Sequence, residues 1–284
     1  MLVVVGKNSF LAKNFCQFLE KKINYISITH QEINELKSIK EISAVINFSV
    51  DPKINTNDYR DINDVDSEIL KILTNTDIHY TMISSRLVYS SNYQWNSCEN
   101  DPCSGLNTYG KNKSIIEKAL FSIRSNNLLI LRVGSIMGFD ISADLNRARL
   151  SSFLLKQLIQ NGTISLSISG LTKKDIITLD YFNKSLFSLI NKKISGVFNL
   201  GSGHSVTVND ISEWLLKGYI GGEPGILLAN TNTSINNEYQ LNCEKVSAVL
   251  KTTFDTQELE AYCIMLGRLV YKEQIKINPL LCHL

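Results

Sequence analysis

The sequence predicts an α/β protein built on a doubly wound parallel sheet, with a small C-terminal lobe. Two observations carry the prediction. Short, continuously apolar runs alternate with stretches of helical period, the pattern of strands covered on both faces. The first run, LVVVG at 2–6, ends in a glycine where a strand must turn into a helix. A chain of 284 residues has room for one large domain, or a domain with a smaller lobe.

The elements follow in order. A buried strand is expected over 2–6. A helix is expected over 9–22, where Phe10, Leu11, Phe15, Phe18 and Leu19 recur at helical spacing. NYISIT (24–29) and AVINFSV (44–50) read as strands, 61–76 as a helix and IHYTMISS (78–85) as a strand. Residues 114–125 continue a helix, and 127–134 form the next strand. Beyond 138 the rhythm loosens. A helix over 144–162, strands at TISLSI and 174–180, a helix over 182–191 and a strand over 196–200 are expected. Residues 223–284 mix loop and helix. The expected division is a nucleotide-binding domain of 1–138 that also receives about 174–205, and a lobe of 139–173 and 206–284. The cleft between them is the default ligand site.

Composition narrows the function. The net charge is +2, with 20% charged and 44% hydrophobic residues. That gives no field for nucleic acid or an anionic membrane. The six cysteines show no CxxC spacing and the four histidines are scattered, which argues against a metal site. The chain opens on a strand, without a basic leader, and has no stretch long enough to span a bilayer. A cytoplasmic protein with free thiols is expected.

VVVGKNSFLAKNF stands where a dinucleotide site needs small residues, because the backbone must turn sharply and approach the pyrophosphate. Gly6 fits the turn. Ser9 and Ala12 are small and stand where two further glycines would be ideal. Asn8, Phe10 and Leu11 complete the loop, and Phe48 and Ser49 end the third strand on the same edge. After the second strand, SITHQEIN holds Thr29 and His30 where an acid would bind a ribose hydroxyl. His30 is either a donor to a 2′-phosphate or a plain polar strand-end residue, with Lys7 and Lys53 as candidate neighbours. The expectation is NADP(H), with NAD(H) as the alternative. Tyr109 and Lys113 lie four apart on a predicted helix, hence on one face. A lysine cation beside a phenol stabilises the phenolate, so the two are either a chance pair or an acid–base pair.

An ordered set of motifs then resembles one family. GKNSFLA is similar to a GxxGFxG loop, and DIN at 61–63 to a helix with an asparagine, Asn63, on the nicotinamide side. MISSRLVYS (82–90) resembles SSxxVY, TYGKNK (108–113) resembles YGxxK, and LILRVGSIMG resembles LRxxNVxG. KDIITLD and GVFNLGSGHSVTVNDI are similar to RDFIxVD and GxYNIGSGxxxSVxEL. Over about residues 1–215 the chain resembles the extended short-chain dehydrogenases/reductases that act on nucleotide sugars.

The resemblance implies a Rossmann-type domain, a nucleotide-diphosphate-sugar substrate and a homodimer through helices around 63–75 and 110–125. It implies that Tyr109 exchanges a proton with the substrate oxygen and that Lys113 holds cofactor ribose hydroxyls. Either Ser84 or Ser85 is the hydroxyl that bonds the same oxygen; the family register selects Ser85. Family dehydratases carry an Asp-Glu pair directly after the serine, where this chain has Arg86 and Leu87. Family enzymes that epimerise carbons 3 and 5 carry a cysteine at the place of Leu87. The expected reaction is NAD(P)H-dependent reduction of a 4-keto, 6-deoxy nucleotide sugar, in deoxysugar biosynthesis for surface polysaccharide. A 4-epimerase using bound NAD is the first alternative, and a non-catalytic cofactor-binding regulator the second. Arg86, Ser135, Arg147 and Arg149 are candidate substrate contacts; the last two read equally as a solvated helix face.

Overall fold

The structure is a computed structural model that describes residues 1–138, 150–166, 169–219, 226–227 and 238–277. In chain order the strands and helices are β1 (Leu2–Val5), α1 (Phe10–Leu19), β2 (Tyr25–Ile28), β3 (Ala44–Asn47), α2 (Val65–Ile72), β4 (His79–Ser85), α3 (Thr108–Ile123) and β5 (Leu128–Val133). There follow β6 (Ser135–Met137), α4 (Leu150–Asn161), β7 (Ile164–Ser165), β8 (Lys173–Thr178), α5 (Leu179–Asn191) and β9 (Gly196–Leu200). The last are β10 (Ser205–Thr207), α6 (Val208–Gly218), β11 (Ile226–Leu227), α7 (Glu244–Leu250) and α8 (Thr256–Ile277). The chain divides into two units: Met1–Gly134 with Phe182–Leu200 and Leu241–Thr252, and the remaining segments.

The first unit is a six-stranded sheet in the order β2-β1-β3-β4-β5-β9, and every pairing is parallel. Its strands are apolar on both faces because helices cover both. β1, β3 and β5 are buried at every position. On α1, Ala12, Phe15 and Leu19 recur at helical spacing and are buried. Ser9 caps that helix by accepting from the Ala12 N–H at 3.2 Å.

The second unit contains a three-stranded sheet, β10-β8-β6. β8 runs antiparallel to β10 and parallel to β6. Two of the sequence motifs meet here. Asp175 of KDIITLD is fully buried and accepts from the Ser202 N–H (2.6 Å), the Ser202 hydroxyl (2.7 Å) and the Gly203 N–H (3.3 Å) of the GSGH turn. Helix α8 packs on α6 and α4.

Two elements differ from expectation. The stretch 61–76 is a 3₁₀ turn at Asp61–Asn63 followed by the shorter α2, because the Asp64 carboxylate accepts from the Ser67 N–H and starts the helix there. Residues His30–Lys37 form a 3₁₀ helix opened by a capping box between Thr29 and Glu32. No helix among the described residues is long and apolar enough to cross a membrane.

Candidate active site

Several candidate residues gather at the carboxyl ends of the strands: Gly6 after β1, Ser49 after β3 and Ser85 ending β4. In parallel α/β sheets that edge is where ligands bind. A cavity of about 270 Å³ at the opposite edge, lined by Met1, Leu2, Ser43 and Ala44, lies away from every candidate residue.

β4 ends in two serines with different surroundings. Ser84 is buried and donates to Glu117 Oε1 at 2.5 Å. Ser85 is half-buried, caps the Arg86–Val88 turn and accepts from the Leu87 N–H at 3.2 Å. Its hydroxyl proton has no partner among the described residues.

Helix α3 is docked onto that turn. Its cap residue Asn107 accepts from the Gly110 N–H at 2.9 Å. The Gly105 and Leu106 N–H groups donate to the Val88 and Leu87 carbonyls at 2.9 and 2.8 Å. A Cβ on Gly110 would sit 1.9 Å from the Leu87 carbonyl oxygen, so only glycine permits this approach. The contact sets Tyr109, the residue before Gly110, beside the end of β4. Tyr109 is half-buried against the core, and its hydroxyl has no hydrogen-bond partner among the described residues.

One turn later Lys113 is 1% exposed. Its ammonium donates to Asp66 Oδ2 at 3.1 Å and to the Ile83 carbonyl at 3.2 Å. Burial is the largest single influence and opposes the charge, but the Asp66 carboxylate, Tyr109 and Asp64 together outweigh it and hold the lysine above its ordinary pKa. Asp66 Oδ1 accepts from the Asn47 amide at 2.8 Å and the Tyr80 hydroxyl at 2.7 Å. Burial, then the Asp66 charge, pushes the Tyr80 phenol well up, so it remains a donor. Asn47 Oδ1 in turn accepts from the Ser49 N–H (2.8 Å) and hydroxyl (2.6 Å).

That chain of bonds reaches the turn after β1. Gly6 has φ +92°, and a Cβ there would lie 2.7 Å from the Ser49 N. The close approach and the first-turn N–H groups of α1 fit a pyrophosphate. Asn8 is exposed there, Phe10 and Leu11 are half-buried, and Phe48 is buried. Asn63 is buried and its N–H donates to the Arg60 carbonyl at 2.9 Å.

Sequence reasoning found no acid after the second strand, yet one stands there. Glu32 accepts from the Thr29 N–H (2.7 Å), the Thr29 hydroxyl (2.9 Å) and Lys7 Nζ (3.2 Å). The Thr29 bonds, and then the lysine, hold its carboxyl below the usual range. His30 is exposed at the same turn. The missing acid therefore gives no ground for preferring NADP(H). The signal was available as the capping-box spacing Thr29-x-x-Glu32.

Three further motif residues form a separate, saturated network. Arg132 forks onto Glu117, its Nη2 2.7 Å from Oε2, and donates to the Tyr89 hydroxyl at 3.2 Å and the Glu99 carbonyl at 2.8 Å. Tyr89 donates to Asn199 Oδ1 at 2.6 Å. The Asn199 amide donates to the carbonyls of Ser97 and Asn242. Arg86 donates to Gln94 Oε1 at 2.9 Å. In the second unit, Ser135 is hydrogen-bonded to the Tyr239 hydroxyl, which donates to the Asp175 carbonyl. Arg147 and Arg149 lie outside the described residues. Among the described residues no group of His, Cys, Asp and Glu has the arrangement of a metal site.

No protein-family model matches the chain. Solved structures do. A UDP-glucose 4-epimerase of Thermotoga maritima with UDP-glucose is similar at TM-score 0.77 and 14% identity, over 96% of this chain and 99% of that one. The Bordetella bronchiseptica enzyme WbmH in complex with NAD+ is similar at TM-score 0.75 and 11% identity, over 95% and 97%. A dTDP-4-dehydrorhamnose reductase of Yersinia enterocolitica is similar at TM-score 0.73 and 14% identity, over 94% and 99%. The chain thus shares the Rossmann-type fold of these solved structures.

Proposed function

We propose that the chain is a nicotinamide-dependent reductase of the 4-keto group of a nucleotide-activated, 6-deoxy sugar. The first unit would bind the cofactor and the second the sugar nucleotide. The observation that carries the reading is the pair of hydroxyls, Ser85 and Tyr109, whose protons have no partner among the described residues, at the strand edge, with the buried ammonium of Lys113 one turn on. A carbonyl oxygen there would accept a hydrogen bond from Ser85 and take the proton of Tyr109. Lys113 would balance the phenolate left behind. Gly6, the start of α1, Ser49 and the Thr29–Glu32 turn would hold the cofactor. A bound nicotinamide would supply the hydride to the same carbon. The absence of a carboxylate pair at Arg86 and Leu87 disfavours 4,6-dehydration.

A 4-epimerase is the second reading, favoured by Glu32, which suits the free ribose hydroxyls of NAD. The test is to mix the protein with NADH or NADPH and a panel of nucleotide 4-keto-6-deoxy sugars. Loss of reduced cofactor, matched by one new sugar, supports the reductase. Interconversion of ordinary nucleotide hexoses without added reductant overturns it in favour of the epimerase.

A further inference from the structure

Lys113 is the most deeply buried cation among the described residues, and its closest anionic partner is a residue that motif reading passed over. We propose that Asp66 is a positioning residue of this site: its carboxylate fixes the Lys113 ammonium one turn from Tyr109 and supplies its counter-charge. The pairing stands on geometry alone. What it does for turnover rests on the ketoreductase reading.

Asp66 is tied to three elements at once. Its Oδ1 is held by Asn47 of β3 and Tyr80 of β4, and its Oδ2 by Lys113 of α3. A carboxylate clamped by the sheet cannot follow the lysine outward. Two of the three ammonium N–H groups are committed, to Asp66 and to the Ile83 carbonyl. One remains for a ribose hydroxyl or for the phenol. The pair is neutral as a whole, so the field at Tyr109 is that of a dipole rather than of a full charge. The titratable groups facing Lys113 are Asp66, Asp64 and Tyr109, with Tyr80 behind Asp66.

The test is Asp66→Asn. The amide oxygen can still serve Asn47 and Tyr80, but the amide N–H groups then face ammonium N–H groups. A neutral amine relieves that clash, and burial favours the neutral amine as well. The Lys113 titration is expected to fall by about 2 pH units or more. The first readout needs neither cofactor nor substrate. In the parent the lysine is charged both folded and unfolded from about pH 7 to about pH 9, so it adds no slope to stability there. In the variant the folded lysine gives up its proton at a lower pH than the unfolded one, so from about the lowered value upward the unfolding temperature rises with pH relative to the parent. Parallel profiles overturn the proposal.

The second readout is turnover against pH. The variant should lose activity as pH rises through the lowered lysine value, whereas an equal loss at every pH marks a merely structural role and overturns the proposal. If Asp66→Asn does not fold, Lys113→Met is compared with Lys113→Met/Asp66→Asn. Recovery of the unfolding temperature in the double variant supports the pairing, and no recovery overturns it. A shifted unfolding profile in the variant, with no turnover by the parent on any 4-keto sugar, sustains the pairing and removes the ketoreductase reading.

Discussion

Ser84 and Ser85 are adjacent at the end of β4, yet they enter two polar regions of opposite construction. Ser84 joins Glu117, Arg132, Tyr89 and Asn199, a buried set in which the serine hydroxyl, the carboxylate and the phenol each have a hydrogen-bond partner. Ser85 stands at the same strand end as Tyr109, and there the two hydroxyl protons have no partner among the described residues. A saturated network can give stability and fix loops, but it has nothing left to offer a ligand. An unsaturated pair on a half-buried edge is costly for the fold unless a ligand completes it. Three residues of the sequence motifs, Tyr89, Arg132 and Asn199, thereby acquire a structural role. They pin residues 97–99 and 242 to the ends of β5 and β9.

Variants on the two sides should separate cleanly. The largest effect is expected for Tyr109→Phe. Turnover should fall about 10³-fold, the size of a lost general acid, with cofactor affinity and unfolding temperature little changed. Steady-state kinetics and a cofactor titration on the same preparation check this. Glu117→Gln should act in the other direction. It leaves Arg132 buried without its counter-charge and should cost about 3–5 kcal/mol of stability, read by denaturant unfolding. The smallest effect is expected at the second strand. Glu32→Gln frees Lys7 and should move the ratio of kcat/KM values toward NADP(H), leaving turnover with NADH near the parent value.

The contrast also marks what the sequence could and could not disclose. The strands were legible because short apolar runs dominate them, and the 196–200 strand is found at its expected bounds. The Tyr109–Lys113 spacing was legible as one face of a helix. Which serine faces solvent was not, since period-2 alternation assigns neighbours to opposite faces without saying which face is filled. Asp66 was hidden for another reason. An aspartate in a first helical turn reads as a complement to the helix dipole, and only the packing of α2 beside β3, β4 and α3 turns it inward. Glu32 was hidden because the acid was sought at the strand end, while the chain supplies it three residues later.

The most direct measurement sets Ser85→Ala beside Ser84→Ala, each assayed for turnover of the 4-keto sugar found on the panel and for unfolding. Ser85→Ala should lose about 10²-fold in kcat, as when a single donor to a developing oxyanion is removed, with only the cost of a lost turn cap, about 1 kcal/mol, in stability. Ser84→Ala should keep most of its turnover and lose about 1.5–3 kcal/mol of stability, the range of a hydrogen bond to a charged group. Undiminished turnover in Ser85→Ala, or a larger loss in Ser84→Ala, would contradict the assignment of the open side as the active site.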